Sequence, residues 1–485
     1  MSKRAVLLTA LLLLLGACVS IPDRGAGDPV VELPGEWEAQ PAAAERGADG
    51  WLAAFDDERL DELVHEALAG NRGVRAFAAR VDAAEAQARI AGADRLPQVG
   101  TGLSGSRQRQ NFIGFPIPGS SGGVLSTTSS RAGLSVDVRW EVDLWGRIRA
   151  GRVAAVADTQ AASADLAGAR LALASRVART WFAAVEARQQ LELSRETAES
   201  YRSSVGSVET RYRAGLRPAI DLRLLRSQLA EAESLLALRQ ETLERTVRQL
   251  EVLLGRYPSG AITPAVQLPA LPPPVPAGLP ADLLSRRPDL VAAEQRLLAS
   301  DARVAQARAA LYPSLSLTSS GGTASSELRD LVDGDFRVWN LVAGLTQPLF
   351  QGGRLRASVE RAEAGTREAL ASFADDVLTA CAEVETALTV RELLAARERA
   401  LVAGVRESAA ARRISEDEYR EGLSDVLVLL EARRRNLLAE SQLLSIRRLR
   451  LDNTLDLVLA LGGSIDADEG AREPSAAARS PETDS

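Results

Sequence analysis

The chain has 485 residues, of which 46% are hydrophobic, 25% charged and only 4% aromatic, and it carries a net charge of −7. This mixture suits long helices and coiled coils rather than thick globular cores, and it provides no overall basic field for nucleic acid. The single histidine, His65, excludes a His-rich metal site or a pair of catalytic histidines, and the two cysteines, Cys18 and Cys381, give no disulfide framework.

Residues 1–17 read as a signal peptide. Lys3 and Arg4 precede an apolar run from Ala5 to Leu15, which is too short to span a bilayer as a helix. Leu15-Gly16-Ala17-Cys18 is similar to the bacterial lipobox, so a covalent lipid is expected on Cys18, with residues 18–50 as an anchored extended segment. Val19 follows the cysteine where an aspartate would retain such a lipoprotein at the inner membrane, so the outer membrane is the expected address. Beyond Cys18 no apolar stretch reaches the length of a transmembrane helix, so any membrane crossing must be made by strands of a closed barrel.

Residues 51–260 form a first repeat and 282–463 a second, separated by a Pro-rich linker over 261–281 and followed by an acidic tail, 464–485, that reads as disordered. Trp145-Gly146-Arg147 recurs as Gly352-Gly353-Arg354, Tyr212-Arg213-Ala214-Gly215-Leu216 as Tyr419-Arg420-Glu421-Gly422-Leu423, and Leu254-Gly255 as Leu461-Gly462. All three share an offset of 207 residues (146 to 353, 215 to 422, 255 to 462). Pro97 and Pro313 are 216 apart, so the first repeat is nine residues longer before its first glycine landmark. That extra length falls in Asn111–Ser130 and reads as a longer surface loop.

Within each repeat the hydrophobic period changes. Ala132, Leu134, Val136, Val138, Trp140 and Val142 alternate with polar or small residues, as do Leu315 and Leu317, and Trp339, Leu341, Ala343 and Leu345. Hairpins are therefore expected at about 97–145 and 313–350, with strands of about ten residues, the length of a tilted transmembrane strand. The proline-free stretches after Gly146 and Gly353 predict helical pairs that turn near Tyr-x-x-Gly. The first helix should run about 65 residues, roughly 100 Å. Leu430, Leu437, Leu444, Leu451 and Val458 recur every seven residues, the seam of a left-handed coiled coil. Four strands cannot enclose a lumen, because small barrels need about eight, so copies must join edge to edge. The expected fold is thus mainly α with a small β part: an α-helical coiled-coil barrel plus a transmembrane β-barrel, built on a tandem duplication. Gly100-x-Gly102-x-x-Gly105 matches a dinucleotide fingerprint but opens no helix, so it is rejected, and no enzymatic constellation stands out.

Trp51-Leu52-x-x-Phe55-Asp56-Asp57, Trp140 to Arg147, Arg286-Arg287-Pro288-Asp289-Leu290, Tyr312 to Leu317 and Gln347 to Leu355 together resemble the TolC-like outer-membrane efflux factors, and within them the NodT/OprM-type lipoprotein branch. The resemblance covers about residues 20–463. It implies a homotrimer with a twelve-stranded barrel in the outer membrane and a helical barrel in the periplasm. It also implies a periplasmic adaptor (membrane fusion) protein and an inner-membrane pump of the RND type as partners, with small molecules leaving unchanged. It places a periplasmic gate at the helix turns, carried over here to Asp221, Tyr419, Leu427 and Glu431. Some members have an arginine where this chain has Ser424, and some have a second acid where it has Val428. Apart from the lipid on Cys18, no cofactor or metal is implied. Two other readings remain open: a periplasmic coiled-coil lipoprotein acting as a spacer or adaptor without a pore, and the outer-membrane duct of a type I secretion system.

Overall fold

The computed structural model describes residues 31, 33–39, 49–112 and 125–465, and the side chain of Leu125 is excluded. Cys18 and residues 466–485 of the tail lie outside the described residues. Apart from short helical turns, the elements in chain order are α1 (Glu58–Gly70), α2 (Arg72–Ala93), β1 (Gln98–Phe112), β2 (Leu125–Val142), α3 (Arg147–Arg213), α4 (Ala219–Leu253), α5 (Pro288–Ala309), β3 (Ser314–Ser325), β4 (Arg337–Thr346), α6 (Arg354–Glu421) and α7 (Val426–Ala460). The order α-β-β-α-α occurs twice, as a tandem duplication requires. The long helices match as well: α3 has 67 residues and α6 has 68, while α4 and α7 have 35 each.

The glycine landmarks of the repeat mark its breaks. Gly146 and Gly353, Gly215 and Gly422, and Gly255 and Gly462 all have left-handed backbone. At the last pair, space as well as φ demands glycine. A Cβ on Gly255 would lie 2.7 Å from the Gly70 carbonyl oxygen, and one on Gly462 would lie 2.7 Å from the Arg286 carbonyl oxygen. The next residue ties each helix end down. Asn71 Nδ2 donates to the Leu253 carbonyl (2.8 Å), and Arg287 Nη1 donates to the Ala460 carbonyl (3.1 Å). The two repeats make the same anchor with different chemistry.

The chain divides into two compact units. One comprises Val81–Ala161 and Ala293–Ser372. Its strands form one antiparallel sheet in the order β1-β2-β3-β4. The pairing of β2 with β3 joins the two repeats, and its register decides what the sheet can do. Leu134 faces Leu103 and Thr323, Val138 faces Val99 and Ser319, Trp140 faces Leu317, and Leu317 faces Ala343. The apolar sets of both hairpins therefore share one face, and most of their large side chains are exposed. The other face carries small and polar residues such as Gly102, Ser135, Asp137, Ser316 and Asn340. Gly322 permits close strand approach, since a Cβ there would sit 1.9 Å from the Leu134 carbonyl oxygen. Gly100, Gly102 and Gly105 are residues of β1.

The first hairpin departs from expectation. Asn111 and Phe112 end β1, and Leu125–Ser130 begin β2, so the extra length of the first repeat is partly strand rather than loop. The strands reach 15 and 18 residues instead of about ten. The added part, where Arg107 faces Ser130 and Arg109 faces Thr128, is polar on both faces up to Phe112, which faces Leu125, and it continues as a two-stranded ribbon. In the same unit, buried alanines at 150, 154, 157, 299, 302 and 305 let α3 and α5 pack closely, which explains a core with few aromatics.

The second unit comprises the described residues of Val30–Arg80, Ala162–Ala292 and Phe373–Ser485. Its largest cluster gathers Trp51, Phe55, Leu60, Leu63, Trp181 and Phe182. Asp57 is structural. Its Oδ1 accepts from the Leu60 amide (3.0 Å) to cap α1, and its Oδ2 accepts from Trp181 Nε1 (2.8 Å). A second cluster centres on Trp37, Leu290, Val384 and Leu388, with Cys381 packed against it. Ser464 and Ile465, assigned to the tail, are instead held. The Gly50 amide donates to the Ser464 carbonyl (3.1 Å), and Ile465 is buried. No leucine of the seven-residue seam on α7 is exposed.

Candidate functional site

The tips of the helical hairpins lie in the second unit. Between α3 and α4 the chain runs Ala214-Gly215-Leu216-Arg217-Pro218, and Pro218 at the N-cap has an extended backbone. Between α6 and α7 it runs Gly422-Leu423-Ser424-Asp425, and Asp425 Oδ1 accepts from the Leu427 amide (3.4 Å). A buried cluster holds the two tips together through Tyr201, Val208, Leu222, Leu225, Tyr419 and Leu429.

A polar clamp is set into that cluster. Asp221, only 5% exposed, accepts a long hydrogen bond from Tyr419 Oη (3.4 Å). Arg217 Nη1 lies 3.8 Å from Asp221 Oδ2, and its Nη2 donates to the Tyr419 carbonyl (2.9 Å). Its guanidinium carbon stands 4.4 Å from the centre of the Tyr419 ring. Burial, and then the Asp221 carboxylate beside it, push the Tyr419 phenol above its ordinary value, so it remains a donor. The structure thus brings together two predicted residues, Asp221 and Tyr419, and adds Arg217. Nothing in the local sequence singled out Arg217, although the repeat offset could have done so. Residue 217 stands in the first turn where Ser424 stands in the second.

Leu427 and Glu431 are placed otherwise. Leu427 is 58% exposed, so it is not ordinary core of this chain. Glu431 pairs with Arg434 (2.9 Å) and Arg435 (2.6 Å) on its own helix. Hydrogen bonds from Arg435 and then Arg434 hold its carboxyl below the ordinary range. The Glu431 carboxylate is therefore accompanied by two guanidiniums of its own helix.

Nearer the middle of the helices a second polar network links α3 and α7. Glu186 accepts from Ser445 Oγ (2.6 Å) and Arg448 Nε (2.5 Å), and Arg448 also pairs with Asp452. Burial pushes the Asp452 carboxyl up to about 6, against the opposing pull of Arg448. Among the described residues, no acid or thiol cluster could hold a metal, and no helix is long and apolar enough to cross a membrane.

Comparison with known proteins agrees with this architecture. The family model described as outer membrane efflux protein matches residues 63–256 and 279–463, one segment per repeat. The chain is 35% identical over 479 residues to outer membrane protein OprJ of Pseudomonas aeruginosa, covering 96% of this chain and 97% of the relative. It is 32% identical over 450 residues to the pyoverdine export outer membrane protein OpmQ of Pseudomonas putida, covering 90% and 93%. The solved outer-membrane channel OprN superimposes with a TM-score of 0.83 at 30% identity, over 92% of this chain and all of that one. With its helical hairpins, its four-stranded sheet and the match in both repeats, the chain belongs to the outer membrane efflux protein family, as an efflux channel of the outer membrane with its helical part in the periplasm.

Proposed function

We propose that three copies of this chain form the passive exit duct of a tripartite efflux system, carrying small molecules from an inner-membrane pump of the RND type, through a periplasmic adaptor, to the exterior. The observation that carries this reading is the register of the sheet. One exposed apolar face runs across both hairpins, and the opposite face is small and polar. Such a sheet suits lipid on one side and water on the other. In the described residues β1 and β4 each pair on one side only. Neighbouring copies would satisfy those edges, and three copies give twelve strands.

At the periplasmic end, the clamp of Arg217, Asp221 and Tyr419 fastens the two helical hairpins of each copy and so favours the closed duct. Leu427, exposed near the tip, would narrow the lumen. Glu431, Arg434 and Arg435 would present a mixed charged ring rather than a cation filter. Glu431→Ala should therefore shift selectivity toward anions, because it leaves two arginines uncompensated. Cargo passes without chemical change. The name of the relative OpmQ refers to pyoverdine, which is in keeping with a small-molecule cargo.

Single-channel recording in planar bilayers tests the duct. The purified protein is expected to insert and conduct rarely, and Asp221→Ala should raise its open probability. A protein that inserts but conducts in neither form would sink the pore reading in favour of a spacer lipoprotein. Anchoring is tested separately: Cys18→Ser should abolish incorporation of labelled palmitate, and labelling that persists would reject the lipobox.

A further inference from the structure

Where strands meet helices in the first unit, two bands of side chains lie close together. One is apolar and aromatic. Leu96, Trp140, Tyr312, Leu349 and Phe350 are all exposed, the last two at 93% and 90%. Trp145 stacks on Tyr312 at 5.0 Å and donates to the Pro313 carbonyl (2.7 Å). Amphipathic aromatics of this kind mark the edge of the hydrocarbon layer.

The other band is cationic. The stretches 94–96, 140–152 and 349–356 hold six arginines (95, 147, 149, 152, 354, 356) against three carboxylates (94, 141, 143). Two of those carboxylates are committed. Glu141 holds Arg147 through both oxygens, and Asp143 accepts from the Ile148 and Arg149 amides. Arg95, Arg149, Arg152, Arg354 and Arg356 are exposed and have no carboxylate partner among the described residues. Helix formation does not account for them. Neither α3 nor α6 has an acid in its first turn, and arginines at that end oppose the helix dipole in both repeats. The two bands touch, since Trp140 Nε1 donates to the Arg95 carbonyl (3.0 Å).

The dimensions match a lipid headgroup layer, which is about 5–8 Å thick on each side of the hydrocarbon. Arg149 and Arg152 lie about 3 Å and 7–8 Å along α3 from its first residue, and their long stems can reach back toward the interface. Guanidinium groups bind phosphate oxygens in a bidentate fork.

From this we infer that the strand–helix junctions form an arginine collar that binds anionic glycerophospholipid headgroups in the periplasmic leaflet of the outer membrane. The inference rests on the reading of the sheet as membrane-spanning. Its recognition chemistry is an exposed phosphodiester charge next to acyl chains, so phosphatidylglycerol is favoured over phosphatidylethanolamine. The collar would fix the depth of the duct in the bilayer without using the lumen.

The test reconstitutes the purified full chain in phosphatidylethanolamine–phosphatidylglycerol vesicles and measures, by electron spin resonance, the motionally restricted fraction of each lipid, spin-labelled in turn. Phosphatidylglycerol should associate about fivefold more strongly at low salt, roughly the effect of one well-placed arginine, and molar salt should reduce that preference. The Arg149→Gln/Arg354→Gln/Arg356→Gln variant should bring the ratio close to one. Arg399→Gln/Arg406→Gln, in the second unit, should leave it unchanged. Equal association in the unmodified protein, or an undiminished preference in the triple variant, overturns the collar. Conductance and resistance to carbonate extraction in the same vesicles report insertion separately. A protein that fails to insert overturns the membrane reading and the collar together, whereas one that inserts and conducts without lipid preference overturns the collar alone.

Discussion

The two hairpin turns began as copies, and they differ where it matters. Both keep a left-handed glycine, Gly215 and Gly422, and both keep exposed apolar residues at matching places: Leu216 with Leu423, and Ile220 with Leu427. The differences fall on the clamp. Arg217 corresponds to Ser424, Asp221 to Val428, and the half-exposed Tyr212 to the buried Tyr419. The first turn thus supplies the charges and the second the ring and carbonyl that receive them. The two turns share a backbone geometry and differ in the side chains that make the contact between them.

Removing Arg217 tests that asymmetry most severely. Arg217→Ala removes the guanidinium from a buried carboxylate, from the Tyr419 carbonyl and from the Tyr419 ring, a combined loss of about 3 kcal/mol. If the clamp favours the closed duct, the closed-to-open ratio should fall on the order of a hundredfold. Single-channel open probability reads this directly. A swap sharpens the comparison. Arg217→Ser/Ser424→Arg restores an arginine, but in the turn where Val428 replaces the carboxylate, so the variant should stay as leaky as Arg217→Ser. Recovery of closure by the swap would show that any arginine at the tips suffices, and the asymmetry would lose its meaning.

A second contrast between repeats gives a smaller effect. Asp452 on α7 stands where α4 has Arg245, an exposed side chain paired with Glu241. Asp452 is largely buried and its Oδ1 finds no hydrogen-bond partner among the described residues. Its carboxyl is raised from 3.8 to about 6 on folding. Between those values the folded state keeps a proton that the unfolded chain has released. Stability therefore falls as pH rises from about 4 to about 6, and the whole cost is present at neutral pH. Asp452→Asn should raise Tm at neutral pH, with an upper bound of about 3 kcal/mol, and should change little near pH 4. A variant less stable than the parent at neutral pH would mean that the Arg448 ion pair outweighs the cost of burial.

Much of this molecule can be read from its sequence because long-range regularities specify it. The constant offset predicts equal helical arms, and the switch from period 3.5 to period 2 marks the hairpins. Two features needed three dimensions. The shared apolar face depends on the register of β2 against β3, which pairs residues some 180 positions apart, as in Trp140 with Leu317. The role of Arg217 depends on which helix end lies beside its turn. The resemblance points to an arginine at the position of Ser424, and the 207-residue offset links that position to Arg217. Glu431 is a similar case. Its neighbours Arg434 and Arg435 were visible in the sequence, but only the helix shows that both reach it.

Tyr419→Phe is the mildest way to examine the clamp. It deletes the hydroxyl that reaches Asp221 at 3.4 Å and keeps the ring under Arg217. Because the bond is long, its loss should cost about 1 kcal/mol or less, a change of at most about fivefold in open probability. Tyr419→Ala also removes the ring, and with it the cation–π contact and part of the buried cluster around Leu222 and Leu429, so its effect should approach that of Arg217→Ala. The ratio of the two variants separates hydrogen bonding from stacking. If phenylalanine proves as leaky as alanine, the hydroxyl–carboxylate bond carries the latch. If the two differ widely, the latch is mainly an arginine held on an aromatic face, with Asp221 keeping the guanidinium in place. The 3.8 Å separation of Arg217 and Asp221, too long for a tight ion pair, favours the second outcome.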